Sequence, residues 1–326
     1  PDSAVARCEV DDPGVQPPIE LERPQLELVL REPRLRVLRS HGTLSFTGLT
    51  AVHSPDEEEE LAAADEPPGV AAADGPPADS PRLDFPGGTN TGECFHRIFE
   101  ELDFAEAGEA PCRRIVEGAL SSYRLAGNDE NEKAKRIELL NRLAAETVDA
   151  PLLPDLRLRD IPRRDTLREM RFLYSIPERT LSHEELRELL ARYGYSIDEG
   201  YQGEIRGGFF MTGAIDLIFR RGDRFFLIDW KSNRIDGRIA SFQPEGLAAE
   251  MRRHSYGLQY LIYCVALRRH LMRTVPGFDW QRNFGGVFYL FLRGISPGDP
   301  VSGIYRDLEV PEELIVKLDS LTEDLR

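Results

Sequence analysis

The chain has 326 residues, 41% hydrophobic and 30% charged, enough for one large core or two modest ones, and carries a net charge of −16. It has no run approaching the roughly 18 to 20 apolar residues that cross a bilayer, and no basic-apolar-small order of a secretion signal at its start, so a membrane partner is not expected. Cys8, Cys94, Cys112 and Cys264 are scattered without a CxxC pair, which argues against a disulfide scaffold and fits a reducing cytoplasm.

Pro1-Asp2-Ser3 lacks an initiator Met and reads as a cut from a longer chain. Residues 1–34 are rich in Pro and charge with little periodicity, and Val37 to Val52 is expected to hold a short ordered segment. Ser54 to Pro86 is a run of Asp, Glu, Ala, Pro and Gly that includes Asp56-Glu57-Glu58-Glu59-Glu60. Such a stretch buries too little apolar surface to offset its ordering entropy, so 54–86 is expected to be a flexible acidic linker. The charge is concentrated there: residues 1–90 hold 18 acidic and 7 basic side chains, against 39 and 34 in the remainder. The mildly acidic remainder is compatible with a nucleic-acid partner, provided binding uses a local patch, a metal or partner surfaces.

Order is expected from 87 onward. Phe95, Ile98, Phe99 and Leu102 recur at i, i+3, i+4 and i+7, the stripe of an amphipathic helix. Further helices are predicted over 111–125 and 131–147. Met170, Phe172, Tyr174 and Ile176 alternate as in a half-buried strand, and Ser182 with Glu185 forms a capping-box signature for a helix ending near Gly194. Gly213–Arg220 and Arg224–Lys231 read as two strands joined through Arg221-Gly222-Asp223 in a tight hairpin. A long helical region is predicted from Glu245 to Leu271, broken near Gly257. Gly286 to Leu292 reads as a fully buried strand, and Pro311 opens a last helix. Alternating strands and helices predict the α/β class, with a central mixed sheet flanked by helices.

In a strand, residues two apart share a face, so Asp229 and Lys231 project together, and Asp216 lies on the paired strand. Two carboxylates and an ammonium converging within an otherwise apolar strand pair are poor core material unless paired or metal-bound. A divalent cation resolves this, since hard oxygen ligands suit Mg²⁺, with Mn²⁺ as a substitute. Metal at Asp216 and Asp229 would acidify a bound water and stabilise charge on a phosphate, with Lys231 orienting the nucleophile or stabilising developing charge. Only Lys133, Lys135, Lys231 and Lys317 are lysines, against 37 arginines, so a Lys at this position suggests a need for a compact ammonium. The same spacing also suits an ordinary Asp–Lys surface pair on an edge strand.

Four blocks, FPGGTNTGECFHRIFEELDF (85–104), GAIDLIFRRGDRFFLIDWKSN (213–233), SYGLQYLIYCVAL (255–267) and FGGVFYLFLRG (284–294), resemble the nuclease domain of the RecB family, within the PD-(D/E)XK superfamily. The resemblance implies a restriction-endonuclease-like fold over 87–326, with Asp216, Asp229 and Lys231 as the D…DxK core. It implies His96 as a further metal ligand, together with the main-chain carbonyl of Trp230. It implies that Gln259 and Tyr263, a QxxxY pair on one helix face, hold the lysine and contact DNA. On their own residues, His96 would pass for a satisfied core histidine, and Gln259 with Tyr263 for an exposed Gln beside a boundary Tyr. Glu169 falls where related nucleases often have a second acid; alternation sets it opposite the apolar face, which gives a near-site role only weak support. Arg252, Arg253, His254, Arg268 and Arg269 offer phosphate contacts or a solvated helix face equally.

The implied activity is that of a Mg²⁺-dependent deoxyribonuclease of the exodeoxyribonuclease V type. It would act on single-stranded or unwound duplex DNA in recombinational double-strand break repair and degradation of linear DNA. The implied partners are RecC-like and RecD-like subunits and a helicase part of the same polypeptide, in a bacterial cytoplasm. This chain has no GxxxxGK[ST] loop and is not itself the motor. The four cysteines lack the spacing for an iron–sulfur nuclease, and Cys94 has no partners for zinc. The rival class is a non-catalytic DNA- or protein-binding module on a nuclease fold, which should have lost Asp216, Asp229 or Lys231.

Overall fold

The computed structural model describes residues 43–45, 80–176, 182–197, 209–296 and 298–320. Most of the expected 1–53 segment, and the acidic stretch up to 79, lie outside the described residues. Among the described residues six strands form one sheet: β1 (Thr43–Ser45), β2 (Thr166–Ile176), β3 (Phe209–Arg221), β4 (Arg224–Lys231), β5 (Phe284–Phe291) and β6 (Ile304–Asp307). Their order is β1-β3-β4-β5-β6, with β2 also paired to β3. β1 with β3 and β4 with β5 run parallel, whereas β2/β3, β3/β4 and β5/β6 are antiparallel, so the sheet is mixed as expected.

The hairpin turn is two residues long, tighter than the three read from sequence. Arg221 pairs directly with Arg224, and Gly222 supplies the left-handed φ of 60° that such a turn requires. The parallel β4–β5 pair needs a crossover, which helices provide. Every residue of β5 is buried, the continuous apolar run expected of a strand covered on both faces.

Side-chain alternation sends each strand to two cores. On one face, α2 (Thr89–Glu101), α3 (Ala110–Ser122) and α4 (Glu130–Asp149) bury Phe95, Phe99, Val116 and Leu140 with Leu217, Phe219, Phe226, Ile228, Trp230 and Phe288. On the other, α5 (His183–Ala191), α6 (Pro244–Arg253), α7 (Tyr256–Thr274) and α9 (Glu312–Ser320) cover Ile215, Ile218, Leu227, Val287, Tyr289 and Phe291. Of two shorter helices, α1 (Pro81–Asp84) precedes the first layer, and α8 (Trp280–Asn283) stacks Trp280 on Phe284 at 4.0 Å. The capping box at Ser182 forms in both directions, with Ser182 accepting from the Glu185 N–H and Glu185 accepting from Ser182.

Ahead of residue 87, Leu83 and Phe85 are buried, and the carbonyls of Arg82, Phe85 and Pro86 all accept from the guanidinium of Arg293. The long helix breaks at Ser255, which adopts a left-handed φ of 51°, two residues before Gly257. Strand β6, short and only half-apolar, carried no signal strong enough to be read from sequence.

Candidate active site

The site lies where β3 and β4 part. The β3–β4 ladder runs from Arg221/Arg224 to Leu217/Ile228 and stops there, while further up β3 the edge pairs with β1 at Phe210–Thr212. Asp216 is the first residue beyond the last pair. Its Oδ2 accepts the Trp230 N–H at 2.8 Å, so the carboxylate satisfies a backbone donor freed by the parting strands. The Trp230 side chain turns to the opposite core, stacked on Phe99 of α2 at 4.5 Å. That stack fixes α2 against β4 and with it the position of His96, one helical turn from Phe99.

His96 Nδ1 lies 3.4 Å from Asp216 Oδ1. Burial alone would lower the imidazole pKa, but Asp216 more than reverses this and raises it to about 9. Glu169 completes the group: ligand atoms of His96, Glu169 and Asp216 lie within 4.8 Å of one another, the one such group of three among the described residues. In the β2–β3 register Glu169 stands opposite Asp216, between the pairs Arg168/Leu217 and Met170/Ile215. Its φ of 50° is left-handed, a strained conformation for a non-glycine residue costing on the order of 1–3 kcal/mol. Alternation gives a near-site role for Glu169 only weak support; its register opposite Asp216 brings it into the group. Burial, then Asp216, pushes its carboxyl up to about 7.

Asp229 and Lys231 project together from β4 as expected, and Lys231 Nζ meets Asp229 Oδ2 at 2.8 Å. Asp229 is nearly inaccessible, and the Lys231 side chain is 13% exposed. Burial raises Asp229 to about 6 against the pull of Lys231, and burial opposes the Lys231 charge but is outweighed by Asp229, so the ammonium is kept. This is a buried pair and not the exposed edge-strand pair that the spacing also allowed. Gln259, 9% exposed, accepts from Lys231 Nζ at 3.1 Å and from the Tyr289 hydroxyl at 2.8 Å, which replaces the reading of an exposed Gln. Tyr263 is buried beside it, edge-on to Phe172 at 5.8 Å. Burial, with Asp229 and Asp216 nearby, pushes its hydroxyl pKa well up, so Tyr263 stays protonated.

Most of the basic residues of α6 and α7 are engaged within the fold. Arg268 and Arg269 pair with Asp319 at 3.3 and 2.5 Å, Arg253 and His254 both meet Glu250 at 3.1 Å, and Arg269 also lies over the Tyr174 ring. Arg293, in the FLRG block, is wholly buried and was not singled out in the sequence. It donates to the carbonyls of Ser232, Arg82, Phe85 and Pro86, tying the turn after Lys231 to the turn that enters α2. The unbroken apolar run before it hid this role.

The donor set suits a hard divalent cation. His96, Glu169 and Asp216 offer an imidazole and two carboxylates, and burial leaves the Glu169 and Asp229 carboxyls reluctant to ionise without added positive charge. Asp229 Oδ2 is buried and, beyond the ion pair with Lys231, receives no well-directed hydrogen bond. Asp229 stands outside the three-residue group, turned to Lys231.

A mixed sheet whose strands part at Asp216, with an acid–lysine pair on the next strand, is the arrangement expected of a PD-(D/E)XK nuclease. Residues 74–325 match the model of the PD-(D/E)XK nuclease superfamily, and the chain belongs to it. It is similar to the RecBCD enzyme subunit RecB of Haemophilus influenzae, 33% identical over 249 residues that cover 73% of this chain and 19% of that protein. The RecBCD enzyme subunit RecB of Escherichia coli is 31% identical over 226 residues, 68% of this chain and 18% of that protein. That of Mycolicibacterium smegmatis is 30% identical over 306 residues, 85% and 28% respectively. The chain thus spans between 18% and 28% of the length of these relatives. Asp216, Asp229 and Lys231 are all present, so the loss that a non-catalytic module should show is not found, and that alternative is not favoured. No helix among the described residues is long and apolar enough to cross a membrane.

Proposed function

We propose that this chain is the nuclease domain of a RecB-like helicase–nuclease and hydrolyses DNA phosphodiester bonds with Mg²⁺. The observation that carries this reading is the convergence of His96, Glu169 and Asp216 beside the Asp229–Lys231 pair at the splayed strands. His96, Asp216, Asp229 and the Trp230 carbonyl hold the ion in this reading, and the placement of Glu169 adds it to the set. A bound divalent cation supplies electrostatic stabilisation for charge developing on the phosphate and raises the acidity of nearby water. Mn²⁺, with the same preference for oxygen and imidazole, is an alternative ion.

Lys231 works as a fixed positive charge. Asp229 holds it protonated, so at neutral pH it donates hydrogen bonds to the attacking water or a phosphate oxygen and does not serve as a general base. Gln259 also accepts from the ammonium, and Tyr263 hydrogen-bonds to Gln259. DNA reaches this pocket as a single strand or an unwound end, delivered by a helicase part of the same polypeptide with RecC-like and RecD-like subunits, in the bacterial cytoplasm. The biological outcome is resection or degradation of linear DNA at double-strand breaks.

The test is cleavage of linear single-stranded DNA by this chain with Mg²⁺, with EDTA, and by Lys231→Ala. Mg²⁺-dependent cutting that the variant loses by roughly 100-fold or more supports the reading. Cutting that survives EDTA, or an unimpaired variant, removes it.

A further inference from the structure

The ammonium of Lys231 is held by more than its ionic and amide partners. Its Nζ lies 4.1 Å from the centroid of the Tyr256 ring and 5.2 Å from that of Tyr289. Tyr289 is already tied to the site through its hydroxyl bond to Gln259. Tyr256 is held by a separate polar group behind it. His254 stacks on its ring at 5.0 Å with the planes 15° apart, and the Tyr256 hydroxyl meets the side-chain amide of Asn233 at 3.3–3.4 Å. Asn233 in turn donates to buried Glu250 at 2.8 Å, and Glu250 is bound by His254. Asn233 lies two residues beyond Lys231 on the same chain, so the strand end that presents the ammonium also orients the ring that receives it.

A ring face attracts a cation most strongly where water is excluded, and both partners here are largely withdrawn from solvent. Asp229 pulls the ammonium toward the carboxylates, and Gln259 alone, an uncharged acceptor, is a weak counterweight. A flat π face placed beside the ammonium restrains it laterally without adding a second negative charge that would compete for phosphate or cation.

We propose that Tyr256 is a positioning residue for the nuclease reaction: its ring, braced by His254, Asn233 and Glu250, holds Lys231 in the orientation the reaction uses. This rests on the nuclease reading above. It also assigns a purpose to the left-handed Ser255, which turns the chain sharply between the helix carrying Glu250 and the helix that begins with Tyr256.

The test combines kinetics with a measurement that needs no activity. With lysine ¹³C-labelled at the ε carbon there are four signals, from Lys133, Lys135, Lys231 and Lys317, and Lys231→Ala assigns the relevant one. The Lys231 ε-methylene protons should be shifted upfield by the ring current in the wild type and return toward ordinary values in Tyr256→Leu. An unshifted wild-type signal overturns the proposal whether or not the chain cuts DNA, and it does so without any variant that must fold. In steady-state cleavage of linear single-stranded DNA with Mg²⁺, Tyr256→Leu should lower kcat by roughly 10- to 30-fold with KM nearly unchanged. Tyr256→Phe, which keeps the ring and loses the hydroxyl contact with Asn233, should fall between the wild type and Tyr256→Leu. In a Lys231→Ala background, Tyr256→Leu should add nothing, as expected of two residues that act as a unit. A Leu variant as fast as wild type, a Phe variant as slow as Leu, or effects that multiply in the double variant would each contradict it. A wild-type chain that shows the ring-current shift but never cuts DNA would instead count against the nuclease reading alone.

Discussion

Glu169→Gln is the substitution whose consequence can be worked furthest. Burial and the neighbouring Asp216 raise the Glu169 carboxyl from 4.5 to about 7, so without a cation the folded protein binds its proton more tightly than the unfolded chain does. Ionising Glu169 therefore destabilises the fold. The penalty is absent below pH 4.5, grows as pH rises to about 7 and is complete above it. At 1.36 kcal/mol per pH unit the full shift corresponds to roughly 3 kcal/mol, and solvent screening of a half-buried carboxylate reduces this to about 1–2 kcal/mol. Gln keeps the shape and removes the charge. In EDTA at pH 8 the variant should melt higher than wild type by about 2–6 °C, with no difference at pH 4. Mg²⁺ at pH 8 should then raise the wild-type melting temperature more than that of the variant, because the variant has lost an anionic donor. Calorimetric or fluorimetric melts at two pH values, with and without Mg²⁺, read all of this. A variant that melts lower than wild type in EDTA at pH 8 would show that Glu169 stabilises the metal-free fold, and the electrostatic reasoning would fail.

Asp229→Asn removes the main charge that keeps Lys231 protonated and leaves burial opposed by Tyr256 and Asp216 without it, so the Lys231 pKa should fall, readable by ¹³C NMR, with cleavage slowed by about 100-fold or more. Arg293→Met leaves four backbone carbonyls without their donor and should destabilise the chain by at least about 3 kcal/mol in urea titrations; Arg293→Lys, lacking the fork, should recover little of it. Burial would raise Glu250, but hydrogen bonds from His254 and Arg253 hold its carboxyl at about 2, below the usual 4.5. Its contribution is therefore complete above pH 4.5 and lost as pH falls toward 2; Glu250→Gln should narrow the gap in stability between pH 6 and pH 3, and an unchanged gap would contradict this.

The residues that local pattern determines were legible in the sequence. Phe95, Ile98 and Phe99 give the α2 stripe, and the period-two runs around Asp216 and Asp229 give the hairpin and the convergence of acid, acid and lysine. Gln259 was legible only through resemblance, because nothing in its helix tells a buried amide from an exposed one until Tyr289 and Lys231 are placed around it. Glu169 was only weakly legible, because strict alternation assumes a regular strand, and its φ of 50° departs from one at that position. Arg293 and Tyr256 act through contacts that bring distant segments together, the first reaching back more than two hundred residues. Short-range periodicity has no access to such pairings.

The central claim is that Asp216 helps hold the divalent ion that phosphodiester hydrolysis requires. Its most direct test is the single-turnover rate of linear DNA cleavage across a Mg²⁺ titration, for wild type and Asp216→Asn. The account predicts saturable Mg²⁺ dependence in the wild type and, in the variant, a rate at least about 100-fold lower at the same Mg²⁺ concentrations. A variant that cuts within a few-fold of wild type would contradict it.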